Sequence, residues 1–304
     1  MIEENSLPLS IFKEKANDDF FKLIAPLKKE KKYVSAPPYL TNFFSRLIHF
    51  SKNKFLIPIS FDGIKPDAKG DIDLIIISPA ESTNINLILN KFETIPNYTK
   101  SLFIIPRITA QVQQAFDSHG FNMVSTLPKD RTKDIYTTEF HADFLALDDD
   151  YFLLPCYRSF YQINAENDFN DLYASARALA KFQTVFGVIP SVITIGPNAE
   201  RTKSLMRGIM GQAGSLSTQS PQMEILFIFD RQVDIVTPLL SQSTFEGMAD
   251  ELFGINFGYC QATSNQDDVI VFTEKDKLIS EFRSELLVNL PQLIQKYLDE
   301  HIRH

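Results

Sequence analysis

Residues 73–77 read Asp-Leu-Ile-Ile-Ile and residues 101–105 read Ser-Leu-Phe-Ile-Ile, and these two apolar runs decide the fold class. Strands that are apolar on both faces are typical of a parallel sheet covered by helices on each side. Apolar residues at helical spacing follow each run, over residues 84–92 and 110–118. This alternation of strand and helix predicts right-handed crossovers and a doubly wound α/β layer.

The pattern continues on both sides of these runs. Residues 55–60 and 121–124 predict further strands, whereas Lys-Lys-Glu-Lys-Lys at 28–32 interrupts a helical pattern within residues 18–50. Such a charged run predicts a solvated turn between two helices. The stretch 144–150 changes from apolar to acidic and predicts the end of the first domain.

The next part of the chain repeats the alternation of strand and helix and predicts a second α/β domain. Apolar residues three and four apart predict a helix over 167–187 that ends at Gly187. Buried strands are predicted at 190–195 and 224–229, with a helix over 198–210 between them. The chain therefore contains two predicted doubly wound parallel-sheet domains.

The last part of the chain is predicted to be helical. Ser243 and Glu246 have the spacing of a capping box, which predicts a helix that ends at Gly254. From residue 274 onward, the apolar spacing predicts one kinked helix or two short ones, interrupted at Pro291.

Length and composition restrict the function classes. The chain has 304 residues, 44% of them hydrophobic, which suits about two folded domains. Its formal net charge of −8 disfavours binding to nucleic acid and direct binding to anionic membranes. The only cysteines, Cys156 and Cys260, suit a reducing compartment, and no apolar run approaches the about 20 residues of a membrane span. These features predict a cytoplasmic protein.

The sequence carries no motif for catalysis or nucleotide binding. Asp230 follows an apolar strand and could hold Mg²⁺ beside a nucleotide, but the chain has no Gly-Lys pair for a phosphate-binding loop. No Gly-x-Ser-x-Gly elbow is present, and Asp230 and Asp234 are too far apart for an aspartyl-phosphate motif. We therefore predict a binding or assembly protein, not an enzyme, with no cofactor or metal. An α/β enzyme or nucleotide-binding protein that uses the carboxyl edge of its sheet is the alternative.

Residues 225–255 carry the most informative motif. An apolar strand precedes Asp-Arg-Gln-Val-Asp at 230–234 and Thr-Pro-Leu at 237–239, and Phe-Glu-Gly at 245–247 precedes Phe-Gly-Ile at 253–255. This order of elements resembles the signature of the SM family, the Sec/Munc-like regulators of SNARE assembly. Three further segments, 144–154, 178–190 and 281–285, resemble its vacuolar protein sorting-associated protein 33 branch.

The resemblance, which runs from about residue 73 to residue 298, implies a fold and a domain plan. It implies the N-terminal half of an SM-type arch, a non-enzyme truncated within its third domain. Domain one would span residues 1–142, the first stretch of domain two residues 143–240, and the start of a helical domain 3a residues 241–304.

The resemblance also implies partners and a location. SM proteins act in vesicle docking and fusion by binding syntaxin-like and other SNAREs. Members of this branch are subunits of the HOPS and CORVET tethering complexes in endosome-to-lysosome or vacuole transport, where a propeller-plus-solenoid subunit binds them. We expect this chain to be cytoplasmic, to contact late endosome, lysosome or vacuole membranes only through partners, and to bind no nucleic acid.

Two groups of residues follow from the motif. The signature residues are predicted to be structural: Asp230, Arg231, Asp234, Thr237, Pro238, Glu246 and Gly247. Among them, Arg231 is predicted to lock the strand end, because its planar guanidinium could be held by two carboxylates. Partner contacts are predicted within residues 275–298, with four candidates: Lys275, Phe282, Arg283 and Leu286.

Overall fold

The chain divides into two compact units, residues 1–157 and residues 158–304. A computed structural model describes residues 7–50, 54–65, 72–148, 151–156, 158–212, 220–263, 269–273 and 275–301. Residues 149–150, the acidic end of the boundary stretch 144–150, lie outside the described residues. The expected domain limits at 142/143 and 240/241 stay predictions.

The first unit is built on a parallel sheet of six strands in the spatial order β2-β1-β3-β4-β6-β5. Its strands are β1 (Lys31–Ser35), β2 (Leu56–Pro58), β3 (Ile72–Pro79), β4 (Thr99–Ile105), β5 (Asn122–Val124) and β6 (Asp134–Glu139). Its helices are α1 (Ser10–Ile24), α2 (Thr41–Leu47), α3 (Ser82–Thr94) and α4 (Ala110–His119). A short antiparallel pair, β7 (Leu145–Ala146) and β8 (Phe152–Leu153), belongs to the same unit.

Helices cover both faces of this sheet, which confirms the predicted fold class. On one face, Leu74 and Leu102 belong to a buried cluster with Phe92 of α3 and Phe116 of α4. The neighbouring residue Phe103 points to the opposite face, because side chains alternate along a strand. There its ring lies 6.1 Å from the ring of Phe20 in α1.

Two strands of the sheet were not predicted. The run at 28–32 was expected to be a solvated turn, but Lys31 and Lys32 begin β1, which lies between β2 and β3. That expectation was wrong for these two residues, because pairing with two neighbouring strands outweighs the polar character of the lysines, whereas residues 28–30 lie in the loop before β1. Strand β6 was missed for a similar reason, since its Thr137 and Thr138 give no apolar run.

Two charged side chains are buried near the amino ends of the central strands. Asp73 in β3 accepts a hydrogen bond from the Lys29 amide at 3.1 Å, and burial raises the pKa of its carboxyl although Lys32, Lys29 and Arg131 oppose the shift. Lys100 in β4 donates to the Arg131 carbonyl at 2.8 Å, and burial lowers the pKa of its ammonium. Each group has a hydrogen-bond partner, which offsets part of the cost of its burial.

The second unit begins with helices and a small parallel sheet. Its first elements are α5 (Ser159–Tyr161), a π-helical turn (Gln162–Glu166), α6 (Asn170–Phe186), β9 (Ser191–Ile195), α7 (Pro197–Gln212) and β10 (Ile225–Phe229). β9 and β10 pair in parallel, and they are the only two strands of this sheet among the described residues. The predicted strand-helix-strand order is therefore present.

Among the described residues, helices cover one face of the β9–β10 sheet and leave the other exposed. Val192 and Leu226 pack against Ala176 and Ala180 of α6 and Met206 of α7. The opposite face exposes Ile193, Ile195, Ile225, Phe227 and Phe229. The prediction of buried strands was therefore wrong for this face within the described residues, because apolar character predicts a strand but not what covers it.

The remaining elements of the second unit combine helices with a small antiparallel sheet that the helical expectation did not include. They are α8 (Phe245–Phe253), β11 (Ile255–Asn256), β12 (Tyr259–Gln261), β13 (Val269–Val271), α9 (Lys277–Phe282) and α10 (Leu290–His301). The two C-terminal helices are separate, with Pro291 at the start of the second, where its missing amide costs nothing.

We expect Asp73→Asn to stabilise the protein at neutral pH. Burial raises the pKa of the Asp73 carboxyl in the folded state. The contribution of such a group to the stability is fully present below the pKa that it has in the unfolded chain. That contribution is lost as the pH rises through the folded-state pKa. The amide keeps an acceptor for the Lys29 N–H. Urea unfolding should therefore show a gain at pH 7 that shrinks toward pH 4.

Asp134→Asn is the control with the opposite sign. Hydrogen bonds from the Asp130 amide, the Asn122 side chain and the Lys129 amide lower the pKa of Asp134, so its contribution is present above the unfolded pKa and lost in acid. This variant should lose stability at pH 7. A loss for Asp73→Asn as well would contradict the burial account.

Candidate functional site

The signature segment begins with a carboxylate that joins three pieces of backbone. Asp230, at the end of β10, is buried, and its amide donates to the Ile195 carbonyl of β9 at 2.8 Å. Its Oδ2 accepts from the Asn198 amide at 3.0 Å and its Oδ1 from the Gln232 amide at 3.2 Å. Asn198 lies in the first turn of α7, where free amides and the helix dipole favour an anion. Asp230 is therefore a helix cap supplied by the neighbouring strand.

This cap requires Gly196, whose role the sequence analysis missed. Gly196 has φ +100°, and a Cβ built on it would lie 2.4 Å from Cβ of Asp230. No other residue fits so close to the aspartate in that backbone conformation. The available signal was the Gly196-Pro197 pair directly after a predicted strand, which suits a tight turn into a helix.

Asp234 organises the next turn. Its Oδ1 accepts from the Val236 amide at 3.1 Å and the Thr237 amide at 3.0 Å. Hydrogen bonds from the Thr237 hydroxyl and amide lower the pKa of the Asp234 carboxyl. Pro238 follows within the short 3-10 turn Thr237–Leu239. These residues shape the backbone and leave the Asp234 carboxylate engaged with it.

Arg231 does not form the predicted lock. Its Nη2 donates to the backbone carbonyl of Asp234 at 3.0 Å, and the side chain is exposed. The expected grip by two carboxylates was wrong because Asp230 and Asp234 use their oxygens on backbone amides. The bracing role belongs to the two aspartates instead.

The ion pair of this region joins Glu246 to Arg283, whereas Arg231 was expected to be the paired arginine. Its two carboxylate oxygens accept from Nε and Nη2 of Arg283 at 2.7 and 3.1 Å. Beside this pair, the Phe245 amide donates to the Glu285 carbonyl and the Leu287 amide donates to the Ser243 carbonyl. The start of α8 is thereby fastened to the segment between α9 and α10.

The cap of α8 also differs from the prediction. The capping residue is Thr244, not Ser243, and its Oγ1 accepts from the Gly247 amide at 3.3 Å. Glu246 turns toward Arg283 and not back to the cap. A Cβ on Gly247 would lie 2.9 Å from Oγ1 of Thr244, so a small residue is required there. The predicted cap is one residue too early because the carbonyl of Ser243 accepts a hydrogen bond from the Leu287 amide, which places Ser243 before the start of the helix.

The four predicted contact residues differ in accessibility. Lys275 and Leu286 are exposed, whereas Phe282 is buried with its ring 6.1 Å from that of Tyr297 in α10. Arg283 is held by Glu246. Partner contact by these side chains stays a prediction, and exposure favours Lys275 and Leu286.

The surface of the signature turn carries large apolar side chains. Five large apolar residues of the signature turn are exposed: Val233, Ile235, Val236, Leu239 and Leu240. Within the described residues, no group of three metal-ligating acidic, His or Cys side chains is found. None of the described helices combines the length and apolar character needed to cross a bilayer. The arrangement suits binding of apolar surfaces.

Comparison with known proteins identifies similar chains. The family model described as the Sec1 family matches residues 41–303. The chain is 32% identical over 126 residues to vacuolar protein sorting-associated protein 33A of Rattus norvegicus, covering 41% of this chain and 21% of the relative. It is 31% identical over 162 residues to protein 33B of Danio rerio, covering 52% of this chain and 26% of that protein.

Solved structures show the same fold. The structure of the SM protein Vps45 matches with a TM-score of 0.61 and 16% identity, covering 95% of this chain and 56% of that one. A structure of Vps45 in complex with the Qa SNARE Tlg2 matches with the same TM-score of 0.61 and 17% identity, covering 95% of this chain and 52% of that one. The chain thus spans about half the length of these structures, and its alignments cover about a quarter of the curated relatives.

We expect Gly196→Ala to destabilise the protein by about 2–4 kcal/mol, because the new methyl group meets Asp230 in a left-handed backbone conformation. Gly208→Ala in α7 is the matched control, since a Cβ there has nothing within 4 Å. It should add about 0.5–1 kcal/mol through helix propensity. Urea unfolding measures both, and equal stabilities for the two variants would contradict the described approach of Gly196 to Asp230.

Proposed function

The chain belongs to the Sec1 family of SM proteins and resembles its Vps33 members, and from this premise we propose that it binds SNARE helices in vesicle docking and fusion. The match to the family model over residues 41–303 carries the proposal. The signature region agrees with it, because its aspartates are engaged by backbone amides and its surface is apolar. We propose accordingly that the protein has no enzymatic activity.

The surface around α10 is the proposed SNARE contact. Leu293 and Tyr297 of α10 are partly buried, whereas Ile294 and Leu298, one residue further along at each position, are exposed. Leu286, just before this helix, is exposed as well. SNARE helices assemble through repeated apolar layers, and an exposed apolar stripe on a helix is the kind of surface that such a helix packs against.

A more specific role is supported by the Vps33 likeness. We propose that the protein is a subunit of a HOPS- or CORVET-like tethering complex, bound by a propeller-plus-solenoid subunit. It would serve endosome-to-lysosome or vacuole transport, held at the cytoplasmic face of those membranes by its partners. The names of the relatives, vacuolar protein sorting-associated proteins 33A and 33B, support this assignment.

The SNARE contact is tested with the triple variant Leu286→Asp, Ile294→Asp, Leu298→Asp. We expect its affinity for an immobilised Qa SNARE helix to fall about tenfold or more, because three buried apolar contacts are replaced by charges. Surface plasmon resonance with a small set of Qa SNARE motifs measures the change.

The control is Ile11→Asp, Leu87→Asp, Leu205→Asp, which adds the same charge at exposed apolar positions elsewhere. It should bind like the unmodified chain. Equal binding by both triple variants would refute the α10 contact. Failure of the unmodified chain to bind any SNARE helix, with thermal stabilisation by ATP or GTP, would instead favour a nucleotide-binding protein.

A further inference from the structure

Unit 1 carries a lysine-rich edge at the amino ends of strands β1 and β2. We define this lysine edge as Lys28, Lys31, Lys32, Lys54 and Phe55. The Lys32 amide donates to the Phe55 carbonyl at 2.9 Å, and Lys32 pairs with Leu56 in the sheet. Residues more than twenty positions apart are therefore joined on one rigid surface, which the sequence run at 28–32 alone does not reveal.

The loop that presents these lysines is fixed. The Lys29 amide donates to the buried carboxylate of Asp73, and Nζ of Lys32 donates to the Lys29 carbonyl. Lys28, Lys31 and Lys54 are exposed, and within the described part of the chain their ammonium groups form no ion pair. Among the described residues, these three exposed cations therefore have no anionic side chain within ion-pair distance.

Apolar side chains lie beside these cations. The side chain of Phe55 is 50% exposed and that of Ile57 on the edge strand β2 is 37% exposed. Aromatic and aliphatic groups next to lysines are what a bilayer interface accommodates, since the rings enter the headgroup region while the ammonium groups stay in water.

The type of cation favours a lipid surface over an acidic protein. All four basic residues of the edge are lysines, which act as compact point charges, whereas bidentate recognition of a carboxylate or a single phosphate favours arginine. Diffuse attraction to many headgroups needs only charge, and it adds up over each lysine near the surface.

The net charge of −8, which disfavours binding of the chain as a whole to an anionic membrane, has little effect on a contact made by one local surface. Charges further than about 8–10 Å from a membrane are largely screened at physiological salt, so the sign of the nearest surface decides the interaction. The lysine edge contributes four positive charges, with Glu30 as the acid within the same run.

We propose that the lysine edge binds anionic phospholipid headgroups, so that unit 1 contacts a membrane directly with β1 and β2 toward the bilayer. This goes beyond SNARE binding and adds a protein–lipid contact to the recruitment by partners. The orientation of unit 1 on the membrane follows from the position of the lysine edge at the amino ends of β1 and β2. The contact is independent of the α10 surface and can be tested without any SNARE.

The test is co-sedimentation of the whole chain with vesicles of phosphatidylcholine alone or mixed with phosphatidylserine. We expect binding to the mixed vesicles only, weakening as salt is raised. The variant Lys28→Glu, Lys31→Glu, Lys54→Glu should lower the partition coefficient about tenfold or more. Phe55→Ser should cause a smaller loss that persists at higher salt, because it removes an apolar contact.

The matched control is Lys15→Glu, Arg207→Glu, Lys277→Glu, which makes the same change in net charge at exposed positions outside the edge. It should keep wild-type partitioning, and circular dichroism checks that both variants fold. Equal losses in both triple variants, or none in either, would overturn the proposal. Edge-dependent binding to poly-glutamate without binding to vesicles would also overturn it and identify an acidic protein as the partner.

Discussion

The second unit depends on one carboxylate placed where two strands and a helix meet. A buried carboxylate without partners would destabilise the fold, but Asp230 accepts two backbone amides, one of them at the positive end of α7. The distance between the strands leaves room for this group only because Gly196 has no side chain. Asp234 likewise accepts hydrogen bonds from backbone amides in the turn that follows. Glu246 connects α8 to the segment before α10 through its ion pair with Arg283. The two aspartates of the signature therefore hold backbone in place, and Glu246 holds the side chain of Arg283.

The apolar strands of the first unit could be predicted from sequence, because short runs such as 73–77 that are apolar at successive positions are typical of strands in a sheet covered by helices. Strands β1 and β6 could not, since β1 begins with two lysines and β6 carries two threonines, so neither forms the apolar run that indicates a covered strand. The motif located the important acids but not their partners. Asp230 and Asn198 are 32 residues apart, and nothing in local spacing indicates that contact. Arg231 was assigned the role that Arg283 performs, because only the folded chain brings Arg283 to Glu246.

Large apolar side chains are exposed at three places in the second unit. The uncovered face of the β9–β10 sheet, the signature turn and the stripe on α10 all present large apolar side chains to solvent. Such surfaces are typical of sites that pack against other polypeptide segments. The first unit contributes a different surface, the lysine edge, whose cations and aromatic ring suit a lipid interface. The proposed functions thus use separate parts of the molecule, apolar surfaces in one unit and a charged edge in the other.

The central claim, that Asp230 braces the backbone, is tested most directly by amide hydrogen exchange in Asp230→Ala. The account predicts that the Asn198 and Gln232 amides lose protection, since each loses its acceptor, while amides in α3 of the first unit keep theirs. Faster exchange is expected for the amides in the first turn of α7, and any wider increase should stay within the second unit. Unchanged protection at Asn198 in the folded variant would contradict the account.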